Sequence, residues 1–222
     1  MEHNRVVYTR PYDAEVEYLE STGTQWIDTL YKMKLYDELR FKVYCLNDYN
    51  DCAIFGSRGT DVLNFYQLYI GRAMAFLAFG QHDQSTIWTS INSFQNNGIN
   101  EITIKDGLCI CNGVNTQIPL GVEDSIQNLA IFARRNQDNS ISYPIKMILY
   151  YFKIYSSNVL VRDFIPVRVG SVGYMYDRVS GKLFGNKGTG NFILGPDVAN
   201  PVPTIRRVFR FGNKRYITVS ND

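Results

Sequence analysis

From Glu15 onward, apolar and polar residues alternate with a period of two, in short runs bounded by Gly, Asn, Asp, Ser and Pro. That pattern predicts strands over 15–20, 26–29, 39–46, 53–57, 65–71, 73–79, 99–105, 108–111, 128–133, 146–155, 159–167 and 173–176. Turn pairs such as Thr22-Gly23, Asn97-Gly98, Asp106-Gly107, Asn112-Gly113 and Ser180-Gly181 separate them. The 16 Tyr and 13 Phe, with many Val and Ile, suit half-buried pleated surfaces. One short helix is expected, over 122–127. Short strands at regular spacing predict an all-β fold, a sandwich or a jelly roll.

Two stretches fix detail. Asp106-Gly107 fits a two-residue turn, which sets Lys105 opposite Leu108, Ile104 opposite Cys109 and Ile102 opposite Cys111. The two cysteines then share a face with Ile102 and Ile104 and read as small core hydrophobes. In 146–155, strict alternation puts Ile148, Tyr150, Phe152 and Ile154 on a core face. Met147, Leu149, Tyr151, Lys153 and Tyr155 fall on a mixed face, with tyrosines able to sit at a boundary.

The pattern changes at Gly195-Pro196. Pro201-Val202-Pro203 is a stiff extended spacer, and beyond it 204–211 and 214–220 flank Gly212-Asn213 as a hairpin. The expected organisation is an N-terminal arm (1–14), a sandwich (15–197), a linker (198–203) and a hairpin tail (204–222). A lone two-stranded hairpin is marginal in water, so this one should lean on the body or on another chain.

Composition narrows the chemistry. With 45% hydrophobic and 20% charged residues the chain belongs with folded globular proteins. No run approaches the roughly 18 apolar residues of a membrane-spanning helix. The first residues lack an apolar run of secretory type, which predicts no export signal and synthesis in a cytoplasm. The two histidines, His3 and His82, make a His-rich metal centre unexpected. No phosphate-binding loop and no nucleophile elbow is present. Net charge is +2, so nucleic acid has no global basic field to meet. The basic charge is concentrated: residues 198–222 carry five basic groups and one acidic, the rest 18 and 20.

Candidate sites each have a plainer alternative. Glu15, Glu17 and Glu20 resemble a bulged glycosidase carboxylate pattern, or form a solvated strand face, which is favoured. Asn47, Asp48, Asn50 and Asp51 offer oxygen ligands for calcium, or form a polar loop. His82-Asp83 is half a catalytic triad, or a polar loop. Trp26, Trp88 and the tyrosines could stack on sugars. Cys45 and Cys52 could flank a loop as a disulfide pair, but cytoplasmic synthesis favours free thiols. The tail is the sharpest feature: Arg206, Arg207, Arg210, Lys214 and Arg215 interleave with Phe209, Phe211 and Tyr216. Docking to a protein partner is favoured there, ahead of packing on the chain's own body and of nucleic-acid binding.

Two segments carry a family likeness. One is Glu17-Tyr18-Leu19-Glu20-Ser21-Thr22-Gly23-Thr24-Gln25-Trp26-Ile27-Asp28-Thr29. The other begins at Leu160-Val161-Arg162-Asp163-Phe164-Ile165-Pro166-Val167-Arg168. It continues through Gly173-Tyr174-Met175-Tyr176-Asp177 and Val179-Ser180-Gly181-Lys182-Leu183-Phe184 to Gly190-Asn191-Phe192. These resemble the concanavalin A-like (laminin-G-like) jelly-roll domains of gut bacteriophage structural proteins and gut bacterial surface proteins, over roughly 15–197. The resemblance implies a two-sheet sandwich whose first and last strands are neighbours, and binding or assembly more than catalysis. It implies a non-enzymatic bacteriophage virion protein, a capsid-attached fibre, decoration or tail component, whose partners are other virion proteins and further copies of itself. The alternative it implies is a glycan-binding module of a phage or bacterial surface protein. No cofactor, metal, membrane or nucleic-acid partner is expected. The motif residues read as scaffold, with Arg162-Asp163 as an exposed pair at a strand end.

Overall fold

The computed structural model describes residues 10–46, 51–59, 65–71, 74–81, 88–119, 121–199, 204–211 and 214–220, the last two by their backbone. The strands in chain order are β1 (Ala14–Glu15), β2 (Leu19–Thr22), β3 (Ile27–Lys32), β4 (Glu38–Cys45), β5 (Cys52–Ser57), β6 (Phe65–Gly71) and β7 (Met74–Gln81). They continue as β8 (Thr89–Ser90), β9 (Ile99–Lys105), β10 (Leu108–Cys111), β11 (Val114–Gln117), β12 (Asn128–Ile131), β13 (Arg134–Arg135) and β14 (Ile141–Ser142). The last are β15 (Lys146–Ser156), β16 (Val159–Val169), β17 (Val172–Asp177), β18 (Lys182–Gly185), β19 (Ile193–Leu194), β20 (Thr204–Phe211) and β21 (Lys214–Ser220). Two sheets face each other. The larger runs β11-β10-β9-β4-β15-β16-β17-β18, with β1 on β16, β2 on β15 and β19 on β2. The smaller runs β14-β13-β5-β6-β7-β8, with β12 between β3 and β5. Pairing is antiparallel except for the short β5–β13 contact. The fold is the expected all-β jelly-roll-like sandwich with a C-terminal hairpin.

Alternation builds the core. On β4, Leu39, Phe41, Val43 and Cys45 point inward and are buried. Phe41 stacks on Phe152 of β15 (5.2 Å between centroids), and Phe55 of β5 meets both edge-on at 5.5 and 5.9 Å. These three rings join the two sheets at the centre of the sandwich. The β9–β10 hairpin has the expected register, Ile104 opposite Cys109 and Ile102 opposite Cys111. Its turn residues Asp106 and Gly107 both have positive φ (48° and 76°), as the predicted two-residue turn needs. Cys45, Cys52, Cys109 and Cys111 are free and buried, and burial pushes the Cys109 thiol up to about 12. The ends of the sandwich meet as expected: Leu19 pairs with Leu194, and Val16 bridges Asp197.

Four expectations need correction. Residues 122–127 form bends and no helix; Ser125 instead ties the segment down through its hydroxyl, 2.8 Å from that of Ser57. The first strand is not continuous: β1 pairs with β16 and β2 with β15, so the chain changes partner near Val16–Tyr18. In β15 the inward residues are Met147, Leu149, Phe152 and Ile154. A bulge against β4 sets Leu149 opposite Val43 but Tyr151 opposite Lys42, so Tyr150 is the extra residue and both tyrosines face outward. Arg162-Asp163 is not exposed. Asp163 is buried mid-strand, 3.5 Å from Lys153 Nζ, and Arg162 lies 3.8 Å from the fully buried Asp177.

Candidate functional site

Of the residues expected to carry partner binding, the backbone of β20 and β21 is described. Phe209 pairs with Tyr216, Arg210 with Arg215 and Phe211 with Lys214, with a bulge between Ile205 and Arg207. The two strands form a sheet of their own. The turn Gly212-Asn213 and the spacer 201–203 lie outside the described residues, as do His82-Asp83 and Asn47–Asn50. Among the described residues no group of three His, Cys, Asp or Glu is placed to hold a metal ion. Glu15 lies in β1, Glu20 in β2 and Glu17 in the bend between them. Glu15 is held by Arg10 (3.5 Å), Arg178 (3.4 Å) and the Tyr12 hydroxyl (2.9 Å), Glu17 is exposed, and Glu20 sits in β2 between Ile148 and Ile193.

The likeness segments are scaffold. Gln25 Oε1 accepts from the Thr22 amide (2.8 Å) and the Ser21 hydroxyl (3.1 Å). Its Nε2 donates to the carbonyls of Thr189 (3.1 Å) and Asn191 (3.3 Å). This one buried side chain therefore fastens the crossover from β2 to β3, which joins the two sheets, to the loop before β19. Trp26 is likewise engaged, with the Arg135 guanidinium 5.3 Å from its ring.

The outer face of the larger sheet gathers a different set of residues. The β15 bulge turns Tyr150 and Tyr151 outward beside Lys153 and Tyr155, and β4 presents Arg40, Lys42 and Tyr44 alongside. A groove of about 480 Å³ crosses these strands, lined by Arg40, Glu101, Thr103, Tyr151, Lys153 and Tyr155. A second hollow of about 450 Å³ adjoins it, sharing Arg40 and Thr103 and adding Leu108 and Ile110. The groove side chains are braced. The Arg40 guanidinium lies 4.8 Å from the Tyr155 ring centroid and bonds the Glu38 carboxylate, which Lys105 also reaches at 3.3 Å. The Tyr151 hydroxyl donates to Glu101 at 3.0 Å. Burial first, and then this bond to a carboxylate, push the phenol up to about 12. Chemically the groove offers aromatic faces for apolar contact and fixed charged groups for hydroxyls or amides.

Alternation correctly places Tyr151, Lys153 and Tyr155 on a mixed face. It does not add Tyr150, because the bulge is a property of the pairing and not of the strand. The β4 sequence Arg40-Phe41-Lys42-Val43-Tyr44 carries a readable signal, with its long polar and aromatic side chains alternating with core residues.

No family model and no curated protein sequence matches this chain. Among solved structures, a candidate carbohydrate-binding protein from Bacteroides ovatus is similar, with a TM-score of 0.54 over 83% of this chain and 9% identity. This chain spans 61% of the length of that one. At such low identity the likeness is one of fold: an all-β sandwich.

Proposed function

We propose that this chain is a non-catalytic glycan-binding sandwich that holds saccharides in the groove over β4, β9 and β15. The carrying observation is the groove itself, about 480 Å³ in volume, with Tyr151 and Tyr155 set among Arg40, Glu101 and Lys153. A pyranose has apolar C–H faces and a rim of hydroxyls. Tyrosine rings cover the first, and charged groups already braced in place bond the second with little ordering cost. The fold likeness to a candidate carbohydrate-binding protein supports the reading. The engagement of the Glu15 carboxylate by Arg10, Arg178 and the Tyr12 hydroxyl supports binding without hydrolysis. A glycan array followed by titration calorimetry tests it. The expected result is saturable binding that Tyr151→Ala weakens about tenfold, in line with loss of one buried aromatic contact, and no turnover of the bound glycan. Binding unaffected by both Tyr151→Ala and Arg40→Ala sinks the groove, and released sugar sinks the non-catalytic reading.

The setting we infer is a bacteriophage particle, with the body displayed and the hairpin docked to another virion protein or a second copy. Here the support is the resemblance of the 17–29 and 160–192 segments, together with the pairing of β20 and β21 as a sheet of their own. Such a unit has two open strand edges and is too small to be stable unaided. Its five basic groups against one acid favour an acidic partner surface. A protein inventory of purified particles decides the matter: the chain is found in stoichiometric amounts, or the virion setting is wrong.

A further inference from the structure

The smaller sheet carries a second cleft, remote in sequence from the groove residues. Arg134 of β13 lies parallel to β5 and opposite Gly56, and Arg58 lies just past the end of β5, its amide donating to the Arg135 carbonyl at 2.8 Å. A Cβ on residue 56 would stand 2.9 Å from Arg134 Cγ, so glycine there lets the arginine lie flat across the sheet. The arginine is 8% exposed, its guanidinium 4.4 Å from the Tyr143 ring centroid and its Nε donating to Asn136 Oδ1 at 3.0 Å. Burial lowers its pKa from the usual arginine value; Tyr143, which also hydrogen-bonds it, and Tyr69 oppose that shift and Arg58 adds to it, and no carboxylate is among these groups of the described residues. A guanidinium has five donors, and a buried one is normally matched to an anion. Both arginines line a cleft of about 540 Å³, whose rim is Asn136, Asp138 and Ser140.

We propose that this cleft binds the carboxylate of an acidic sugar, a hexuronate, with Arg134 and Arg58 holding the carboxylate and Asn136, Asp138 and Ser140 taking ring hydroxyls. It is a site separate from the groove and rests on the glycan-binding reading only for the choice of sugar. The planar forks of two arginines match a planar carboxylate. The Ser140 hydroxyl and amide bond the Asp138 carboxylate and favour its ionised form, which accepts from ring hydroxyls.

The experiment is calorimetric titration of the full chain with trigalacturonate, with a neutral galactose trisaccharide and with galactose 6-sulfate. Trigalacturonate binds, more weakly at high salt, and the neutral trisaccharide does not enter this cleft. Arg134→Gln loses about tenfold or more in affinity for the uronate, as expected for a charge-assisted bond. Because Arg134 is buried and its replacement can unfold the sheet, Ser140→Trp, on an exposed rim position, serves as the second variant; it blocks the cleft and gives a similar loss with unchanged melting. Tyr151→Ala leaves uronate binding intact. If Tyr151→Ala abolishes uronate binding while Ser140→Trp does not, the ligand sits in the groove, and this proposal fails while the groove stands. Sulfate binding as tightly as carboxylate overturns the ligand assignment, and no uronate binding at millimolar concentration overturns the site.

Discussion

Phe152 shows how much rests on single positions. It is fully buried, stacked on Phe41 and edge-on to Phe55, so it belongs to both sheets at once. Phe152→Ala should cost about 3–5 kcal/mol, the range for a large aromatic removed from a packed core; urea unfolding that moves by less than 1 kcal/mol (about a third of the lower bound) shows that the sheets are joined elsewhere. Leu30 is the opposite case. It has φ of 51° and is 59% exposed, at the bulge where β3 meets β12. Its amide donates to Asp28 Oδ1 and its carbonyl accepts from Arg162, so the strained conformation is held by both neighbours. A left-handed backbone costs a non-glycine residue roughly 1–2 kcal/mol, and little burial is lost with this side chain. Leu30→Gly should therefore leave stability unchanged or raise it by up to about 1 kcal/mol after the entropy of glycine is counted. Leu30→Val should lower it. Thermal melts in the reverse order overturn the strain argument.

At the scale of the element, local chemistry and pairing chemistry separate cleanly. The β9–β10 hairpin was legible to the residue, because Asp106-Gly107 dictates the turn and the turn dictates the register. The faces of β15 were legible only from Tyr151 onward. Ile148, Tyr150, Phe152 and Ile154 look like one apolar stripe, and nothing within the strand announces a bulge set by β4 that turns Met147 and Leu149 inward instead. The break between β1 and β2 escaped for the same reason: it is a change of partner. The Arg58–Arg134 cleft was invisible, since a short parallel contact between β5 and β13 brings together residues far apart in the chain. The bulge makes a sharp prediction. Deleting Tyr150 leaves Leu149, Tyr151 and Phe152 opposite Val43, Lys42 and Phe41 in unbroken register, with the same side chains inward. The shortened protein should fold, at a cost of about 0.5–3 kcal/mol, the usual range for a single change. Deleting Phe152 instead removes a core ring and reverses the faces of all that follows, and should abolish folding. Circular dichroism and thermal melting of the two variants distinguish these outcomes, and equal damage from both removes the bulge as the explanation.

Across the whole molecule, the question is what belongs to the sandwich and what is joined to it. The described core runs from Ala14 to Phe192, and the sandwich closes on itself: β2 pairs with β19, Val16 bridges Asp197, and the Val198 amide donates to the Glu15 carbonyl. Arg168 adds two bonds to the Asp197 carboxylate at the same seam, at 2.7 and 2.6 Å. The first and last strands of the body are thus fastened before the spacer at 201–203 begins, and β20 and β21 pair with each other. If the hairpin is an assembly handle, truncation after Asn200 leaves a folded body whose melting temperature is nearly that of the full chain and whose groove still binds its glycan. What it loses is incorporation into a particle or oligomer. Replacing Arg206, Arg207 and Arg210 with Glu should have the same effect while leaving the body intact, because reversing charge at a docking surface slows encounter and adds repulsion without touching the core. Full incorporation of the truncated chain, read by sedimentation or particle proteomics, places the handle elsewhere. Unfolding of the truncated chain makes the hairpin part of the body's own stability.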